Sequence, residues 1–196
     1  MFIKSWLTRL FNSSPARETN QSRAEDGNPD FQFFVGLRYA SGNPGADFAH
    51  AIEWYLKAAN QNHILAQFNL GVMYSIGQGV LPNERQAEIW FYRAAHQQDP
   101  GAQYNLGMSR YRVSFQGPQR QRDEAKIEAY KWFALAAGLG YRDSGLMRDT
   151  ISLKMNRQDF AEGSRRVNEF LCFARAKAED DKELPLNKGE GTFQLG

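Results

Sequence analysis

The residues best able to do chemistry in this chain are its histidines, its cysteine and its paired acids, and their spacing argues against chemistry. His50, His63 and His96 are the only histidines, and none belongs to a ligand-spaced pair such as H-x-x-x-H. A zinc or related site needs three or four convergent donors, so no metal and no other cofactor is expected. The single cysteine, Cys172, lies among Phe170, Leu171 and Phe173 and is expected to be a buried structural thiol, not a nucleophile. Glu84 and Glu88 form an i,i+4 pair at an expected helix start, where the helix dipole favours acids; they read as a solvated face. No G-x-S-x-G elbow occurs. Gly77-x-Gly79 lacks the third glycine and the preceding strand of a nucleotide cradle. The expectation is that the chain is not an enzyme.

What remains is binding. Arg110, Arg112, Arg120, Arg122, Lys126 and Lys131 face only Asp123, Glu124 and Glu128, a local excess of three, with Tyr111 and Phe115 among them. Cations interleaved with aromatics can hold a single-stranded nucleic acid, and the same charges suit an acidic protein segment or an anionic membrane. The excess is small and the formal net charge of the whole chain is only +2, so nucleic acid is the weaker reading. Arg110, Phe115, Arg120 and Arg122 are the candidates for a secondary basic contact.

These residues must be positioned by something, and the sequence repeats itself. In residues 66–95, Ala66, Leu70, Gly71 and Tyr74 recur at spacings of 4, 1 and 3, one face of a helix. Gly77-Gln78-Gly79 ends that helix, and Pro82, Asn83 and Glu84 suit the start of the next. Ala87, Trp90, Phe91, Ala94 and Ala95 then form a second apolar stripe. Ala51, Trp54, Tyr55, Ala58 and Ala59 match that stripe at an offset of 36, and Ala129, Trp132, Phe133, Ala136 and Ala137 match it at 42. Val35, Gly36 and Tyr39 upstream and Ala102, Leu106 and Gly107 downstream echo the first helix. Two helices per unit at a period in the mid-thirties specify an all-α solenoid.

The units resemble Sel1-like repeats, relatives of tetratricopeptide repeats, through A-x-x-x-L-G-x-x-Y, G-x-G-V and A-x-x-W-[YF]-x-x-A-A. Unit two matches almost throughout. Unit one has Gly42-Asn43-Pro44-Gly45 in place of G-x-G-V, and unit three has Arg110 where the tyrosine should fall and a loop lengthened by six residues within 111–122. The resemblance covers roughly residues 30–140, as units 30–62, 63–98 and 99–140. It implies a non-enzymatic scaffold or adaptor, mainly bacterial in such short forms, that binds a partner protein or peptide on its concave face. It also implies that first helices line that face. The candidate contacts are then Phe34, Leu37 and Arg38 in unit one, Asn69, Val72 and Met73 in unit two, and Asn105, Met108 and Arg112 in unit three. Amides at 69 and 105 can both donate to and accept from a peptide backbone. The rival reading is a dedicated inhibitor of the immunity type that neutralises one toxic enzyme.

The rest of the 196 residues flanks this array. In residues 1–11, Phe2, Ile3, Trp6, Leu7, Leu10 and Phe11 form one helical stripe opposite Lys4, Ser5, Thr8 and Arg9. The apolar pairs are too interrupted for a secretory signal. Either this helix packs on the repeats, covering an end or filling the groove, or it lies in a membrane interface and makes the protein a peripheral adaptor. Residues 12–29 are polar and aperiodic and read as a flexible linker. Residues 141–179 read as capping helices, with Leu146, Met147, Ile151, Leu153 and Met155 in a short one. Asn156 caps the next, which carries Phe160, Val167, Phe170, Leu171, Phe173 and Ala174. Residues 180–196 read as a tail. One cysteine excludes an intrachain disulfide and favours a reducing compartment. No run approaches the ~20 apolar residues of a membrane span. The expected location is cytoplasmic, peripheral to the inner membrane if residues 1–11 are an anchor.

Overall fold

The structure, a computed structural model, describes residues 21–42 and 45–183. Three helical hairpins follow one another. They are α1 (Pro29–Ala40) with α2 (Phe48–Asn60), α3 (Ile64–Ile76) with α4 (Glu84–His96), and α5 (Pro100–Val113) with α6 (Gln119–Gly138). Then come α7 (Ser144–Ser152) and α8 (Arg157–Glu183). From α1 to α7 each helix packs on the one before it, α3 also touches α5, and α8 packs on α6. Among the described residues there is no strand.

Local chemistry sets the boundaries. The side chains of Asn28, Asp47, His63, Asn83 and Asp99 accept backbone N–H groups in the first turns of α1 to α5, filling valences that a helix leaves open. Gly77 ends α3 at φ 73°, in the left-handed region that costs glycine nothing. Units join through one repeated turn. Asn62, Gln98 and Gly140 sit at φ 64°, 64° and 69°, and the next residue's N–H returns to Ala58, Ala94 and Ala136 respectively.

The glycines of the first helices are packing devices. A Cβ on Gly36, Gly71 or Gly107 would stand 2.7, 2.5 or 2.7 Å from the ring of Tyr55, Phe91 or Phe133. Each hairpin therefore closes as an aromatic ring laid on a glycine. Glutamines cross the unit junctions. Gln67 Nε2 donates to Ala59 O at 3.1 Å, and Gln97 Nε2 donates to Gln67 Oε1 at 2.8 Å. Gln61, Gln32 and Ala24 repeat the arrangement one unit earlier. In unit three the series stops. Gln103 Nε2 reaches Ala95 O at 3.2 Å, but its buried Oε1 has no donor, because Leu139 occupies the position of Gln61 and Gln97 and is 49% exposed. Leu139→Gln is expected to supply that donor and raise stability by about 1 kcal/mol, read as a higher urea midpoint at unchanged slope. An unchanged or lower midpoint would show that the orphan oxygen costs nothing.

The expected linker 12–29 is corrected at its end. Residues 21–25 are helical, and Ala24, 1% exposed, packs with Val35 and Trp54. Gly27, at φ 95°, and Asn28 repeat the junction turn, and Gln61 Nε2 donates to Gly27 O at 2.8 Å. This stretch is built as the last turn of a second helix, with Ala24 standing where Ala59 and Ala95 stand. Its polar composition hid it, since Arg23 replaces the other alanine of the signature.

The unit-three insertion is corrected too. It does not lengthen the loop: 114–118 is shorter than 77–83, and the extra residues extend α6, which has 20 residues against 13 in α4. Gln119 and Lys126 both donate to Asp123, helical pairings that suit this stretch. The extension makes a seat for α8. Arg166 reaches Glu124 and Glu128 on α6 at 2.6 Å and Glu162 on its own helix at 2.8 Å. Gly163 lies against Tyr130, and Val167 and Phe170 cover the clusters around Trp132 and Phe133.

Only part of the expected cap face is buried. Asn156 Oδ1 caps α8 as expected, and Ile151 is fully buried. Leu146, Leu153, Phe160, Leu171 and Phe173 are exposed, and so is Cys172, contrary to the expected buried thiol. Two residues along a helix are a rotation of roughly 200°, so Cys172 points away from the core that Phe170 enters. α8 also continues to Glu183, into the expected tail. Residues 1–20 and 184–196, including the stripe Phe2–Phe11, lie outside the described residues.

The bonds to Arg165 first, and then to Arg166, hold the Glu162 carboxyl at about 2, down from 4.5. A folded-state value below the unfolded one means this contribution is full above pH ~4.5 and is lost as pH falls through about 2. Far-ultraviolet dichroism across that window should show α8 losing helicity, and the Arg165→Leu/Arg166→Leu double substitution, which removes both partners of Glu162, should abolish the pH dependence. An identical profile in the variant would mean that other carboxylates control acid unfolding.

Candidate functional site

The predicted contacts lie on α1, α3 and α5, the first helices of the three hairpins, as a candidate surface. Phe34 and Leu37 are half-buried against the cluster that holds Leu70 and Met73. Val72 leans on the cluster of Ala87, Phe91 and Leu106, and Met108 on that of Phe133 and Ile151. Asn69 is half-buried, and its amide makes no side-chain hydrogen bond among the described residues. Asn105 Nδ2 donates to Gly101 O at 2.8 Å, which leaves its oxygen and one N–H available. Arg38 is exposed and donates to Gln21 Oε1 at 3.2 Å. Met73 does not belong to this surface: it is 4% exposed and fills the core between units one and two.

Between α4 and α5 lies a pocket of about 130 Å³. Phe91, Leu106 and Met108 form its apolar lining, and Asn105, Ser109, Arg112, Glu84 and Glu88 its polar one. Glu88 accepts from Ser109 at 3.2 Å and pairs with Arg110; Glu84 stands 3.5 Å from Arg112. The reading of Glu84 and Glu88 as a purely solvated face is thereby corrected for Glu88, which is bound across the unit boundary. A visible signal was available: two acids one turn apart at the start of one second helix, and two arginines at the end of the next first helix.

The same pairings dissolve the secondary basic contact. Arg110 and Arg112 turn to unit two, Arg122 pairs with Gln119, and Lys126 and Lys131 pair with Asp123 and Glu128. Arg120 remains exposed. Phe115 is exposed too, set edge-on to Tyr111 with Lys154 Nζ 5.2 Å from its ring. The four predicted residues do not converge.

The histidines have local roles. His63 Nδ1 accepts from Ala66 N at 3.1 Å and its ring stacks on Phe33; burial holds its pKa below the usual value. His96, likewise lowered by burial, packs among Tyr92, Trp132 and Phe170. His50 pairs with Asp47 at 2.6 Å. Among the described residues, no three of His, Cys, Asp and Glu cluster to hold a metal. No helix among them is long and apolar enough to cross a membrane.

A series of hairpins, each too thin to bury its own core and each packed on the next, defines an α-solenoid of the interaction-scaffold class. The model of the Sel1 repeat matches residues 29–63, 64–99 and 100–141, and the chain belongs to the Sel1-repeat family. Such repeats form a non-catalytic scaffold, and proteins built from them generally act in protein–protein interaction. No curated protein matches the chain. Among solved structures, it resembles a protective antigen present in uropathogenic Escherichia coli strains that displays an SLR fold (TM-score 0.68, 25% identity). The match covers 94% of this chain but only 38% of that one. It also resembles a Sel1 repeat protein from Oxalobacter formigenes (TM-score 0.55, 27% identity), over 66% of this chain and 94% of that one.

Proposed function

We propose that the chain binds an extended segment of a partner protein along the ribbon of α1, α3 and α5, with one partner side chain entering the pocket over Phe91 and Met108. The observation that carries this reading is convergence. Asn105, Met108 and Arg112, chosen because they interleave with the buried signature of the first helix, line the same pocket. Its volume, about 130 Å³, is of the size of one side chain, not of a drug-sized ligand, for which pockets run from about 300 Å³. The amides of Asn69 and Asn105 then act as equivalent rungs, one repeat apart, for a peptide backbone.

The test begins with capture of the partner by the full chain from the native host, followed by measurement of its affinity for an Asn69→Ala/Asn105→Ala variant. Two lost hydrogen bonds of about 1 kcal/mol each predict weakening on the order of tenfold or more, with helicity unchanged. Equal affinity for the variant would remove the ribbon as the binding surface.

A further inference from the structure

We propose that the hairpin-turn edge of the array lies on an anionic lipid surface, with Leu81, Phe115 and Leu153 as apolar tips and Arg85, Arg120, Lys154 and Arg157 as headgroup contacts. Side-chain contacts tie the turns together along one edge. A Cβ on Gly79, in the turn between α3 and α4, would stand 2.6 Å from Cβ of Phe48, the first residue of α2. Glu84, at the start of α4, lies 3.5 Å from Arg112, near the end of α5. Lys154, in the turn between α7 and α8, donates to Tyr111 Oη at 3.1 Å and stands 5.2 Å from the ring of Phe115.

Three turns in this series each present a large apolar side chain to solvent. Leu81 is 87%, Phe115 58% and Leu153 88% exposed, and Leu153 and Leu81 are the two most exposed large apolar side chains among the described residues. They stand one to a turn and form no continuous groove of the kind that seats a peptide or a partner helix. A planar, deformable surface can take up all three at once.

The charge along the edge selects the kind of surface. Arg85, Arg120 and Arg157 are exposed and stand in the first turns of α4, α6 and α8. A cation there opposes the helix dipole, so helix stability does not account for them. Among the described residues none of the three forms an ion pair. The acids nearby are engaged, Glu84 by Arg112, Asp123 by Lys126 and Asp159 by Asn156. Lys154 meets a phenol and a ring instead of a carboxylate. Four uncompensated cations beside three apolar tips match anionic headgroups above an acyl layer. The edge also accounts for Phe115 and Arg120, which do not converge with Arg110 and Arg122. It is independent of the partner reading above.

The experiment uses the full chain with the exposed thiol removed by Cys172→Ser and an environment-sensitive fluorophore at Leu81→Cys or Leu153→Cys. The control label is at Asn60→Cys, an exposed position at the far end of α2, beside the junction turn. Vesicles of phosphatidylglycerol and phosphatidylcholine in equal parts should shift the emission of the first two labels to the blue and leave the control unchanged. The shift should fade with added salt, which screens exposed charges. Each basic residue near an anionic surface strengthens partitioning roughly fivefold, so Arg85→Gln/Arg120→Gln/Arg157→Gln should weaken vesicle binding about a hundredfold with helicity unchanged. Vesicle binding without a shift at positions 81 and 153 would place the lipid contact elsewhere on the chain and overturn the proposal. Binding unmoved by the three substitutions, or equally strong to phosphatidylcholine alone, would overturn it too. A shift produced by polyglutamate or a single-stranded oligonucleotide but not by vesicles would assign the edge to another polyanion and overturn the lipid assignment.

Discussion

A Phe133→Ala variant is expected to lose about 3–5 kcal/mol of stability, the usual cost of truncating a fully enclosed phenylalanine, and to melt about 10 °C lower. Phe133 is 0% exposed. Its ring lies on Gly107 and beside Tyr104, 5.7 Å between centroids, and it shares a cluster with Tyr130 and Ile151. One side chain therefore ties α5 and α6 to each other and to α7. Because a solenoid transmits stability between nearest neighbours only, the loss should be uneven. Hydrogen exchange should quicken most in α5 to α8 and least in α1 and α2. Uniform acceleration along the chain would mean that the array behaves as one cooperative block.

The glycine–aromatic pairs make a second and more specific demand. Gly71→Val is expected to cost at least about 2 kcal/mol, because a Cβ there would lie 2.5 Å from the ring of Phe91, and overpacking of a filled core costs about 1–3 kcal/mol before any branched atoms are added. Phe91→Ala opens the space that valine needs. The double variant should be less destabilised than the sum of the single changes, by about 0.5–3 kcal/mol. Additive losses would show that the two positions do not share this contact. Gly138 provides the control. Nothing lies within 4 Å of a Cβ placed there, so Gly138→Ala should gain up to about 1 kcal/mol of helix propensity.

The two outcomes test different layers of the same design. Local periodicity places a glycine and an aromatic ring in every hairpin; the junction turns at Asn62, Gln98 and Gly140 then decide that successive hairpins stack. The proposed binding face is a by-product of that stacking, since first helices that repeat at a constant offset present equivalent positions side by side. Asn69 and Asn105 are such a pair, and the free amide of Asn69 beside the half-engaged amide of Asn105 is the pattern a backbone ligand needs.

The amino-acid order alone determined the hairpins, their register and the glycine contacts, because these depend on residues three to thirty-six apart that recur in every unit. It also placed Asn105, Met108 and Arg112 on one surface, for the same reason. Tertiary structure alone decided what happens to residues without a repeat partner. The insertion became a longer α6 that seats α8, because Arg166 lies some forty residues away and no local pattern announces it. Arg110 was neutralised by Glu88 of another unit, so a charge count within one loop overstated its basic character. Met73 was drawn into the core and Cys172 was left outside it, since helical phase tells which residues share a face but not which face meets a neighbour. Charge and burial are set by whatever packs opposite, and that is a property of the assembled array.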